Sequence, residues 1–434
     1  MEYSITDFGA KGDGVADNTV PIQSALDRCR ERGGTVIFPA GDFVTGTLYI
    51  HSNTTLKFEH NSRLLGVQDA RQYKKAPGFC EEPFMDRALL IAEDEENITI
   101  CGEGTIDGRG DKEHFRPQGH TESGKSDLRP MLLCFCRCKN VKLLDISFKD
   151  PAGWGLVFKG CESLYFSRIK VSHRSNVNND GIDLDGCSDV FIEGCHISSG
   201  DDAICLKSAC GGVCKNVVIS NCVISSDTAG FKIGTSSVSD YSNITLTNCA
   251  FENCRMGTIK ILMVDGGRID GVNISDCVIK DSEGPLFIRL GERMNRWGAK
   301  DISQGRTTCL RNVMLSNIIA HIRDGCERDR WGVMITGTPD YHVENIFLNN
   351  VKIDFPGGGN TVNEKIAEDI DRYPEQFFFG TLPSSAFFIR HAKGIFLNNI
   401  FISHREKDAR PLLYTEDVSD LFIQYLWHGN KKIY

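Results

Sequence analysis

The sequence predicts an all-β chain wound as a right-handed parallel β-helix, and three observations carry that expectation. Short apolar-rich segments recur about every 27 residues: DVFIEGCHIS from Asp189, NVVISNCVIS from Asn216, NITLTNCAFE from Asn243 and GVNISDCVIK from Gly271. A repeat of this length marks a solenoid. Within each segment apolar and polar residues alternate with period two, as in a strand with one buried face. Ahead of one interior slot in each repeat stands Gly194, Asn221, Asn248, Asp276, Asn317, Asn350 or Asn399. These residue types tolerate left-handed backbone, so each coil is expected to turn a corner there. Coils stacked at about 4.8 Å would give every residue an equivalent directly above and below.

The elements follow in chain order. Asp17, Asn18 or Thr19 can cap a helix running through Pro21, Ile22, Ala25, Leu26 and Cys29 to a stop at Gly33-Gly34. Residues 1–60 are therefore expected to form an N-terminal cap and the first coils, the helix covering the open sheet end. ENITICGEGTIDG and KNVKLLDISFKD are earlier repeats; RNVMLSNIIA, ENIFLNNVKI and KGIFLNNIFI are later ones. Cys195, Cys222, Cys249 and Cys277 occupy the slot that Ile318, Val351 and Ile400 fill later, which points to thiols used as small core hydrophobes. Cys210 and Cys214 lack a second pair with zinc-like spacing. Residues 354–383 break the repeat with PGGG and charged residues, and are expected to form a long loop insertion, with a short helix, over one face. No linker divides the chain, so residues 1–434 are expected to form a single domain.

Composition limits the partners. The chain has 434 residues, 41% hydrophobic and 25% charged, which is ordinary for a globular protein. Its net charge of −9 disfavours nucleic acid, whose phosphates need clustered Lys and Arg. It leaves room for an acidic sugar held in a local basic pocket. No apolar run reaches the roughly 18–20 residues that span a membrane. The start, MEYSITDFGAKGDG, has no basic stretch leading into an apolar one, which reads as cytoplasmic, or as extracellular had a leader been removed.

Between 176 and 207 the chain reads NVNNDGIDLDGCSDVFIEGCHISSGDDAICLK, with six aspartates. Asp180 and the pair Asp201-Asp202 lie about one coil apart, so stacking brings them to the same face. Crowded carboxylates repel and push at least one pKa upward, which lets an acid and a base coexist at one pH. Carboxyl groups about 6.5–9.5 Å apart suit inverting glycoside hydrolysis, with a water held between base and sugar. Asp183 is read as an edge of this cluster. Turn capping is the plainer reading for Asp185 and Asp189.

At these residues the chain resembles the polygalacturonases of glycoside hydrolase family 28. NNDGID resembles that family's NTDGID, and GDDAICLKS its GDDCIAIKS. TDFGAKGDGVADNT, GEGTIDGRG, GTPDYHVENIFLNNV and YPEQFFFGTLPSSAFFIRH extend the likeness along most of the chain, to bacterial members. The resemblance implies an inverting hydrolase. Asp201 would protonate the leaving oxygen, Asp180 and Asp202 would activate the attacking water, and neither a metal nor an organic cofactor would be needed.

The chain also departs from the family pattern. In TAGFKIGT, Ala229 stands where the family has histidine and Lys232 where a serine is usual. Thr258-Ile259-Lys260 stands for Arg-Ile-Lys. An arginine grips a carboxylate through two parallel hydrogen bonds that lysine cannot copy. The departures point away from plain polygalacturonic acid and towards a galacturonate- or rhamnogalacturonan-type fragment. Lys207, Lys232 and Lys260, expected on successive coils, are candidates for binding it. His173, Arg289 and Asn178 are further candidates, Asn178 as a positioning residue for Asp180 or as a turn former. Trp154 is read equally as a sugar platform or as packing, and Arg293 as a carboxylate partner or a surface pair. A cytoplasmic enzyme would meet imported oligosaccharides rather than polymer, which favours exo-action on short chains, and loops 112–127 and 354–383 could close one end of a groove. The expected partner is an oligosaccharide, and a homo-oligomer is compatible with the sequence. Two other readings stay open: a β-helical polysaccharide lyase using lysine and calcium, and a non-catalytic carbohydrate-binding β-helix.

Overall fold

The computed structural model describes residues 1–116, 128–295, 307–325 and 331–434. Of the loop 112–127, residues 117–127 lie outside them. The chain divides into two compact units, Met1–Cys205 and Leu206–Tyr434. Both are built of parallel coils, and the fold is the right-handed parallel β-helix expected from the repeat.

In the first unit three ladders of parallel strands run through the stack. One joins Glu2–Ser4, Gly34–Phe38, Thr54–Phe58, Glu96–Gly102, Lys139–Leu144, Glu162–Ser167 and Ser188–Glu193. A second runs from Asp13–Asp17 to His196–Ser199. The third joins Leu48–Tyr49, Arg87–Glu93, Met131–Cys136, Leu156–Lys159 and Ile182–Asp185. Alternation decides the core. In the third ladder Leu90, Leu133, Leu156 and Ile182 stand in register and are fully buried. Their neighbours Ile91, Cys134, Val157 and Asp183 form the opposite, outward row. This outward row is apolar until it reaches Asp183. Its apolar part is roofed by residues Ala76 to Met85, with Trp154 packed into the same cluster.

The helix spans Thr19–Arg32 and buries Ile22, Ala25, Leu26 and Cys29. It packs on strands Gly34–Phe38, Leu48–Tyr49 and Thr54–Phe58. Asn18 holds the N-cap position, yet its amide is used by Lys11 and Ala16. Asp17 instead accepts from the Thr19 amide at 2.9 Å. Gly33, at φ +69, ends the helix where a Cβ would meet the Asn53 carbonyl at 2.8 Å.

In the second unit the strands lengthen: Arg268–Ser282, Cys309–Ile322, Val343–Phe355, Phe387–His404 and Leu413–His428 each run through a corner. The corner residues are those expected. Gly194 in the first unit and Asn221, Asn248, Asp276, Asn317, Asn350 and Asn399 in the second all have φ between 51° and 61°. The amide of each of the last three is hydrogen-bonded to the same corner of the coil before it, at 2.8–3.0 Å. A second left-handed row, not singled out in the sequence, includes Asn97, Asn140, Ser163 and Asp189 in the first unit. Asp189 is thus a corner residue, whereas Asp185 ends a strand ahead of the turn at Gly186. The slot cysteines Cys195, Cys222, Cys249 and Cys277 are at most 3% exposed. All described cysteines are free thiols.

The insertion 354–383 contains one short 3-10 turn, Gln376–Phe379. It roofs the outward row of the second unit. Phe287, Met334 and Phe388 stand in register on that row and pack with Ile366, Phe379 and Leu382 of the insertion. Each such buried side chain stabilises the lid by about 1.5–3 kcal/mol.

Candidate active site

The aspartate cluster belongs to the first unit and begins with backbone. The amide of Asp201 donates to the Asn179 carbonyl, that of Gly181 to Asp202, and that of Ile182 to Ala203. Residues 179–182 therefore lie directly against 201–203, one coil spacing apart, and Asp180 and Asp202 come together as the stacking argument requires. Gly181 makes this approach possible: a Cβ there would meet the Ala203 carbonyl oxygen at 2.3 Å. Asp180, Asp183 and Asp202 are buried, at 3%, 1% and 5% exposure, while Asp201 is partly exposed. Asp201 is thus the most solvated carboxylate of the cluster.

Two polar anchors hold the loop 174–180. The Asn179 side chain donates to Pro151 and Gly153 and accepts from Asn176, while Asn176 donates to Gly110 and Phe115. His173 is fully buried, and its Nδ1 donates to the Asp180 carbonyl at 2.9 Å. Burial pulls its pKa down to about 4, against a weaker upward pull from that bond and from Asp150. His173 is therefore a neutral imidazole fixing the Asp180 backbone, and the expectation that it lines the cleft gives way to its burial. Gly155 leaves room for the ring, since a Cβ there would lie 2.1 Å from His173 Cε1.

Asn178, at φ +50, points its amide to Asp201 Oδ2 at 3.4 Å, so it serves Asp201 rather than Asp180. Its own oxygen accepts from Arg129 at 2.8 Å, and Arg129 also donates to the Val177 carbonyl. Arg129 escaped the sequence reading because a lone arginine in DLRPM carries no pattern. It is 2% exposed and stacks over Phe84. Burial lowers its pKa, partly offset by Glu82 and Asp201. Asp201 is therefore oriented from one side by a buried cation acting through Asn178, and from the other by the Asp202 amide at 2.9 Å.

The basic candidates belong to the second unit. Lys232 and Lys260 stand in register on its outward row, followed by Phe287. Lys260 is 1% exposed and paired with Glu375 of the insertion at 2.5 Å. Its charge is thus answered within the protein, and the expectation of a direct sugar contact gives way to that pair. Arg289 is likewise removed from any surface. It is 1% exposed and donates to Thr336 and to the carbonyls of Gly337, Glu368 and Asp369, pinning the insertion. Burial lowers its pKa to about 10, with Arg390 adding to the effect and nearby carboxylates opposing it. Lys232 lies 3.4 Å from the Tyr373 hydroxyl, and Lys207 ends its strand at 8% exposure. Arg293 makes a two-point pair with the fully buried Asp265.

The profile of glycosyl hydrolases family 28 matches residues 35–369. The chain belongs to that family. It is 27% identical over 255 residues to an exo-poly-alpha-D-galacturonosidase of Dickeya chrysanthemi, covering 48% of this chain and 42% of that one. The chain spans about half the length of the first curated relatives it matches. In fold it resembles an exopolygalacturonase of Thermotoga maritima, with TM-score 0.70, 23% identity, and 82% and 87% of the two chains covered. A family 28 exopolygalacturonase of Yersinia enterocolitica gives TM-score 0.69 at 17% identity, over 97% and 78%. The family match agrees with the motifs NNDGID and GDDAICLKS, whose aspartates lie in the first unit.

Proposed function

We propose that this protein is an inverting glycoside hydrolase acting on acidic pectic oligosaccharides. The observation that carries the reading is the docking of residues 179–182 on 201–203, which gathers Asp180, Asp201 and Asp202. Asp201, the partly exposed carboxyl, gives its proton to the glycosidic oxygen as the bond to the anomeric carbon breaks. Asp180 and Asp202 take a proton from a water that attacks that carbon from the opposite face, so the configuration inverts. Asn178 and Arg129 hold Asp201 in place, and His173 holds Asp180. Lys207 and Lys232 are retained as candidates for a uronate carboxylate. Both roofed outward rows, and the exo-galacturonosidase among the relatives, favour exo-action on short chains.

Proton NMR of the full chain with galacturonan and rhamnogalacturonan oligosaccharides tests the reading. The expected result is a new reducing end of inverted anomeric configuration, absent with Asp201→Asn. A retained anomer, an unsaturated product, or no turnover on either substrate would overturn it.

A further inference from the structure

Outside the aspartate cluster, the described residues bring two histidines and a carboxylate together in the second unit. His342, His391 and Asp417 each immediately precede a residue of one continuous register, Val343, Ala392 and Val418. They are therefore equivalent positions on three successive coils. His342 Nε2 lies 2.8 Å from Asp417 Oδ2, and His391 Nδ1 lies 2.7 Å from the same oxygen. All three donor atoms fall within 4.8 Å of one another. His391 is in the left-handed region at φ +48, and its ring is held from behind: Nε2 meets Glu368 Oε2 at 3.2 Å. Glu368 in turn is 3.2 Å from the buried Arg390.

We propose that His342, His391 and Asp417 form a binding site for a zinc-like divalent transition ion. The donor set of two imidazoles and one carboxylate suits zinc and its neighbours rather than calcium or magnesium, which prefer all-oxygen shells. Bonds of about 2.0–2.2 Å in a tetrahedron place the donor atoms about 3.4 Å apart. The nitrogen–oxygen gaps need to open by about 0.6 Å to reach this, and the side chains of Asp417 and His342, 55% and 36% exposed, have the freedom to do so. His391, with its side chain 8% exposed, stays fixed. A water completes the fourth position. Glu368 supplies what metal-bound histidines characteristically have, a carboxylate on the other ring nitrogen that fixes the tautomer. An ion here would join three coils to the insertion that carries Glu368.

The test uses the full chain, stripped with chelator and titrated with Co²⁺ and Zn²⁺. We expect one ion per chain at micromolar metal, visible Co²⁺ absorption typical of four- or five-fold coordination, and a rise in the thermal midpoint. His391→Gln and Asp417→Asn should each weaken binding at least tenfold, and Glu368→Gln by about 10–100-fold, with unchanged far-ultraviolet circular dichroism. No stoichiometric binding would overturn the proposal. So would binding that survives His391→Gln undiminished, since the ion would then sit elsewhere, for example on thiols.

Discussion

Lowering the pH from 7 to 4.5 should unload stability through one residue. His173 is fully buried with its pKa near 4, whereas an unfolded histidine titrates near 6.5. As pH falls through 6.5 the unfolded chain takes up a proton that the folded chain refuses until about pH 4, so stability is lost over that window. Linkage between those two values gives a loss of about 2.4 kcal/mol between pH 7 and 4.5 from this group alone. Other carboxylates titrate in the same window, so the comparison needs a matched protein. His173→Asn places an amide nitrogen where Nδ1 stands, can still donate to the Asp180 carbonyl, and does not titrate. Denaturant unfolding of both proteins across the pH range isolates the difference. The variant should lose about 2.4 kcal/mol less than the parent. Parallel profiles would refute the neutral, buried imidazole and with it the assigned role in fixing Asp180.

Two further outcomes follow from buried charges. Glu375→Gln leaves the Lys260 ammonium buried without its carboxylate and should cost about 3–5 kcal/mol, whereas Lys260→Met with Glu375→Leu should recover most of it; denaturant midpoints of the single and double variants measure this. Arg129→Lys removes the fork that grips Val177 and Asn178, so kcat on the substrate found by NMR should fall at least tenfold with KM little changed, because Asp201 loses its orientation.

Legibility in the sequence tracked how local the cause was. The corner at Asn221, Asn248 and their equivalents could be read because left-handed backbone selects residue types at each position by itself. The core cysteines could be read because the same slot holds Ile or Val elsewhere. The aspartate cluster needed one more step, the coil spacing, and that step sufficed for Asp180 and Asp202. The failures involve partners far along the chain. Lys260 meets Glu375, 115 positions later, and Arg289 meets carbonyls about 80 positions later. Nothing near either residue announces an internal partner, so an acidic sugar was the simplest expectation. The His342, His391 and Asp417 group was hidden for the same reason, being visible only once the coils are in register.

The asparagine corner also governs what the chain can tolerate elsewhere. Four pairs of corners in the second unit, separated by 27, 41, 33 and 49 residues, are joined by the same amide contact. Coil circumference is therefore free while the pitch is fixed. A segment inserted on the far side of a coil, such as 354–383, lengthens one turn without shifting the next. Architecture of this kind separates the part that must stay constant from the part that meets a substrate, so new loops can be tried over the face at little risk to the stack beneath.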